Sequence, residues 1–253
     1  MSENVIIEQV NGVLTLTLAR ADKKNALTDA MYGALSDALH DCQPDDSVRV
    51  ALIRGEGDLF CAGNDIGDFM ASTGSTKDRN VFRFLKMLGQ FSKPLVAAVQ
   101  GRAVGIGTTM LLHCDYVVLA EDAMLTTPFV SLGLVPEAGS SLLLPQTVGH
   151  RRAFAMLAMG EAMDAQAALV AGIGNRVVPN AELDAAAQKA CAHIAALPPS
   201  AMLTTKRLMR DEKAIAERTA IEIEEFAQAM RSPEAQEAFT AFAEKRAPDF
   251  SKF

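Results

Sequence analysis

Glu137 follows two glycine-rich segments, Phe60-Cys61-Ala62-Gly63-Asn64-Asp65-Ile66 and Gly101-Arg102-Ala103-Val104-Gly105-Ile106-Gly107. Both segments follow apolar, strand-like runs, where unpaired backbone N–H groups can be aimed at a charge that develops during a reaction. Two such donors with one glutamate suit the transfer of a proton from one carbon to another. They suit the addition of water less well, because that needs a base for the water and an acid for the carbon. Each feature has a plainer reading when taken singly. Asp65 then becomes the first-turn acid of a helix, Gly105 and Gly107 only allow close packing, and Glu137 after Pro136 is another helix-start acid.

Several other chemistries lack their residues. No Gly-x-Ser-x-Gly elbow surrounds Ser140 or Ser141, and Gly105-Ile106-Gly107 misses the third glycine of a dinucleotide fingerprint. The four histidines, His40, His113, His150 and His193, show no ligand spacing, so no metal is expected. Cys61, among Phe60, Ala62 and Gly63, reads as a small buried side chain, not a thiolate.

Positioning these groups requires strands that lead into helices. Val13–Ala19 alternates apolar residues with threonines. Val48–Ile53, Leu95–Val99 and Tyr116–Ala120 are apolar runs of the kind buried on both faces of a sheet. Thr28 predicts the cap of a helix carrying Met31, Leu35 and Leu39 on one face. Further helical patterns cover Val81–Leu88, Thr108–Leu112, Arg151–Met159 and Asp164–Ala171, the last stopped by Gly172. The alternation predicts an α/β fold. The small polar tract from Ala71 to Asp78 reads as a mobile loop. After Pro198-Pro199 only helical patterns remain, which divides the chain into an α/β core (1–197) and a helical region (198–253).

The segments, in their order and spacing together with Gly133-Leu134-Val135-Pro136-Glu137-Ala138-Gly139-Ser140, resemble the crotonase superfamily of enoyl-CoA hydratases and isomerases. The resemblance implies a crotonase-like spiral of ββα units followed by a helical trimerisation region. It also implies an acyl-CoA thioester as substrate, with no separate cofactor, and a homotrimer or dimer of trimers. By the same resemblance, the oxyanion donors fall on Asn64 and Ile106. CoA-binding positions match Lys24, Ala26, Ala62, Asp65 and Ile66, with Phe226 and Lys245 completing the nucleotide end, commonly from a neighbouring subunit.

Two departures narrow the activity that this resemblance implies. The two hydratase glutamates correspond here to Thr109 and Phe129, and Glu137 matches the single base of similar peroxisomal-type Δ3,Δ2-enoyl-CoA isomerases. The expected activity is therefore enoyl-CoA isomerisation with Glu137 as catalytic base, surrounded by Phe129, Leu134 and Val135. A hydratase or other crotonase-type enzyme, and a non-catalytic acyl-CoA-binding protein, are the alternatives.

Composition is compatible with this expectation. A formal charge of −7 over 253 residues argues against general nucleic-acid binding. An anionic ligand then needs local cations, for which Arg20/Lys23/Lys24, Lys206/Arg207 and Lys245/Arg246 are the candidates. Four cysteines without paired spacing fit a reducing cytoplasm, no signal-peptide pattern opens the chain, and glycines interrupt the one long apolar run.

Overall fold

The computed structural model describes residues 3–71 and 79–253. Most of the predicted loop tract lies outside these residues. Nine strands and eleven α-helices are described. The strands are β1 (Val5–Val10), β2 (Val13–Leu18), β3 (Val50–Gly55), β4 (Leu95–Val99), β5 (Arg102–Val104), β6 (Tyr116–Ala120), β7 (Met124–Thr126), β8 (Met163–Asp164) and β9 (Arg176–Val178). The helices are α1 (Asp29–Cys42), α2 (Ile66–Ala71), α3 (Asn80–Gln90), α4 (Ile106–Thr109), α5 (Ser140–Val148), α6 (His150–Leu157), α7 (Ala165–Ala171), α8 (Leu183–Ala196), α9 (Pro199–Met209), α10 (Glu212–Ala229) and α11 (Pro233–Ala243).

Six strands form one sheet in the order β1-β2-β3-β4-β6-β9, antiparallel only between β1 and β2. A second sheet, β5-β7-β8, lies beside it. The chain passes from the first sheet to the second twice, from β4 to β5 and from β6 to β7, which produces the layered α/β architecture. The apolar strands explain themselves in this arrangement. Leu95, Ala97 and Val99 face the larger core cluster, while Val96 and Ala98 face a second cluster completed by Leu183, Ala187 and Cys191 of α8. A central strand covered on both faces must be apolar at every position.

Thr28 caps α1, its hydroxyl accepting from the Met31 N–H, and Gly172 ends α7 at a φ of 86°. The expected helix at Thr108–Leu112 is split into α4 and a 3-10 turn, Met110–His113. Phe226 and Phe239 are buried in the same core as the sheet and Met230 packs against it, whereas Ile221 and Phe242 stay exposed. Among the described residues, no helix is long and apolar enough to cross a membrane.

Candidate active site

A parallel bridge between Cys61 and Ala103 joins the two glycine-rich segments. The Cys61 N–H donates to the Arg102 carbonyl at 3.1 Å, and the Val104 N–H to the Cys61 carbonyl at 2.9 Å. Asn64 lies three residues beyond Cys61 in one segment, and Ile106 three residues beyond Ala103 in the other. The approach is too close for side chains. A Cβ on Gly63 would lie 3.0 Å from the Val104 carbonyl oxygen, and one on Gly107 would lie 2.8 Å from that of Cys61. Ile106 opens α4, so its N–H has no acceptor within the helix. Among the described residues, neither its N–H nor that of Asn64 is taken by another acceptor. Two free donors on neighbouring segments make a cradle for an oxyanion.

Glu137 precedes α5, in a turn where Ala138 and Gly139 both adopt left-handed backbone, with φ of 59° and 68°. Its carboxylate is buried, and Oε1 accepts from the Thr109 hydroxyl at 2.5 Å. It shares a narrow pocket with Asn64, Val81, Phe82, Leu85, Ile223 and Phe226. Burial among these groups pushes the Glu137 carboxyl up to about 8; the Thr109 hydrogen bond opposes the rise and the charge of Glu222 adds to it. A carboxyl poised near neutrality in a pocket shared with Asn64 can take a proton from carbon and return it.

Residues 8–252 match the family model described as enoyl-CoA hydratase/isomerase. The chain belongs to the enoyl-CoA hydratase/isomerase family. It is 34% identical over 83% of its length to the enoyl-CoA delta isomerase 2 of Rattus norvegicus, covering 55% of that protein. It is 36% identical over 96% of its length to the probable enoyl-CoA hydratase echA6 of Mycobacterium bovis, covering 98% of that protein. A crystal structure of an enoyl-CoA hydratase/isomerase from Pseudoalteromonas atlantica T6c superposes with a TM-score of 0.94 at 40% identity, over 98% of this chain and all of that one. Similarity at these levels fixes the family.

Five of the residues matched to CoA binding in this family lie on one paired loop. The Ala62 N–H donates to the Lys24 carbonyl, the Leu27 N–H to that of Gly63, and the Asp65 N–H to that of Leu27. This places Lys24 and Ala26 alongside Ala62, Asp65 and Ile66. Asp65 is itself engaged, accepting from the Asp68 N–H at 3.0 Å and from Arg20 at 2.7 Å; these contacts hold its carboxyl below the usual range. Lys24 meets Asp58 at 2.8 Å. Phe226, expected at the nucleotide end, instead lines the Glu137 pocket of its own chain, because the α10 face that carries it packs inward. Lys245 is exposed just beyond α11.

The candidate cations are more committed than their sequence suggests. Lys206 is buried, donating to the Lys93 carbonyl and to Asp115, both at 2.7 Å, so it is a structural cation and not a surface one. Arg246 binds Glu237 and Glu244.

Three side chains beside the family's site carry no motif. Tyr32 of α1 donates its hydroxyl to the Asn64 side-chain carbonyl. His113 is buried and held neutral, its pKa down to about 3 through burial and then the charge of Arg210; with Arg210 on its other nitrogen, it donates to the Ala138 carbonyl at 2.6 Å. Glu222 reaches the turn after Glu137 from α10. Its signal in the sequence is positional, since it lies with Ile215, Thr219 and Phe226 on the buried stripe of that helix.

The Thr109 contact is testable without any assay of activity. Thr109→Val preserves shape and removes the donor to Glu137, so the Glu137 carboxyl should titrate above about 8. Carboxyl NMR of the two proteins measures this, and an unmoved titration would mean that the bond does not form in solution.

Proposed function

We propose that the protein is a Δ3,Δ2-enoyl-CoA isomerase. The observation that carries this reading is that Glu137 is the one carboxylate lining the pocket among the described residues, while Thr109 supplies a hydroxyl at a hydratase glutamate position. The Glu137 carboxylate removes a proton from C2 of a 3-enoyl thioester. The electron pair moves onto the thioester oxygen as a dienolate, held by the N–H groups of Asn64 and Ile106. Each donor contributes roughly 3 kcal/mol to the transition state by analogy with other oxyanion holes. The protonated Glu137 then delivers its proton to C4, and the double bond ends between C2 and C3. No proton or electron is gained or lost overall.

Thr109 donates to Oε1, and Oε2 is the oxygen available to take the proton. The apolar walls from α3 and α10 exclude water that would protonate the dienolate at random. Incubation with 3-hexenoyl-CoA tests the reading, with 2-hexenoyl-CoA as the expected product. Binding of the thioester without turnover would instead support an acyl-CoA-binding protein.

We further propose that the chain assembles as a trimer or a dimer of trimers. Leu208, Met209, Ile221 and Phe242 are exposed apolar residues of the helical region, and closed symmetry is the usual way to cover such residues. Light scattering at micromolar concentration should give a multiple of three subunits; a monomer would remove the proposal.

A further inference from the structure

The turn that presents Glu137 is not held by its own local backbone. Ala138 is a non-glycine residue in left-handed conformation, which costs about 1 kcal/mol or more and persists only where surrounding structure enforces it. Enforcement comes from two sides. His113 fixes the Ala138 carbonyl, as described above. From the other side, one oxygen of Glu222 accepts from the Gly139 N–H at 2.5 Å, and the other from the Ser141 N–H at 2.9 Å and the Ser141 hydroxyl at 2.5 Å. Arg218, one turn earlier on α10, donates to the same Ser141 hydroxyl at 3.2 Å.

We propose that Glu222 is a positioning residue for Glu137, a buried carboxylate that clamps the turn carrying the base and keeps a fixed negative charge behind it. The proposal rests on the isomerase reading. Glu222 occupies the one acidic position on the buried stripe of α10, where packing alone would select an apolar side chain. With three N–H and O–H donors converging on its two oxygens, it is satisfied as a carboxylate; a protonated acid would have to give up one of these acceptances. Burial raises the Glu222 carboxyl, while the bonds from Ser141 and Gly139 and the charge of Arg218 pull the other way. The titratable groups that act on Glu137 or are acted on by it are Tyr32 of α1, Cys61 of the glycine-rich segment and Glu222 of α10. Tyr32 and Cys61 are pushed upward by burial and stay neutral around pH 7, whereas the three donors on the Glu222 oxygens suit its ionised form. Its charge disfavours ionisation of Glu137 and thereby strengthens Glu137 as a base.

Two variants with opposite expected signs test the proposal. Glu222→Gln keeps the volume and deletes the charge, so the acid limb of the kcat/KM profile for 3-hexenoyl-CoA should move to lower pH. Its kcat should fall by about 10-fold or more as the turn loosens, with KM little changed. Arg218→Met removes the cation beside Glu222 and should move the limb to higher pH. It also provides a reading if Glu222→Gln fails to fold. Loss of thermal stability in both variants with the limb unmoved would reduce Glu222 to a structural residue and overturn the proposal. The isomerase reading fails in a different way, because the unmodified protein would then bind 3-hexenoyl-CoA without converting it to 2-hexenoyl-CoA.

Discussion

Glu137→Gln should lower kcat for 3-hexenoyl-CoA isomerisation by about 10³-fold, with little change in the affinity for CoA thioesters. The amide keeps the volume and can still accept from Thr109, so the pocket and its walls persist while the base is gone. The residual rate would come from the oxyanion donors and from bound geometry. Near wild-type turnover would remove Glu137 from the mechanism. The same substitution should raise stability in alkaline solution. In the wild type, the folded Glu137 carboxyl sits at about 8 against an ordinary 4.5. The native state therefore holds its proton longer than the unfolded chain, and stability declines as pH rises from about 4.5 to about 8, then levels. The glutamine variant lacks that decline and should be the more stable protein at pH 8.5, measured by urea unfolding. Lower rate with higher stability is the pattern expected of a buried catalytic charge.

Hydration of crotonyl-CoA should be slower than isomerisation by orders of magnitude in the same preparation. Hydration needs one group to take a proton from water and another to give one to carbon. Thr109 is a hydroxyl committed to Glu137, Phe129 is a buried aromatic ring, and neither can hold or release a proton at neutral pH. Glu222 does not fill the gap, since both of its oxygens are occupied by donors of the turn. Stopped assays of both substrates with one enzyme stock decide the matter. Comparable rates would show that Glu137 has an acid–base partner outside this set, and the isomerase reading would give way to a hydratase.

The features that the sequence determined are those built from near neighbours. The strands β3, β4 and β6 were legible because burial on both faces demands runs of apolar residues, β2 because its apolar residues alternate with threonines, and the caps at Thr28 and Gly172 because they act within one turn. The two glycine-rich segments were legible for a related reason, since glycines must recur where two backbones approach too closely for a Cβ; within them, Asn64 and Ile106 were singled out by the crotonase resemblance alone. The short strands β5, β7, β8 and β9 left no pattern, because two or three residues are fewer than a period can mark. Nor did the sequence show which walls close the pocket. Phe129, Leu134 and Val135 adjoin Glu137 in the chain, yet the lining comes from Val81, Phe82 and Leu85 of α3 and Ile223 and Phe226 of α10. The destination of Phe226 depends on how α10 docks against α3, a contact between residues more than a hundred positions apart. The basicity of Glu137 was likewise decided by tertiary structure. Desolvation is the sum of everything packed around a carboxylate, and here it comes from helices that the chain reaches before and long after Glu137 itself.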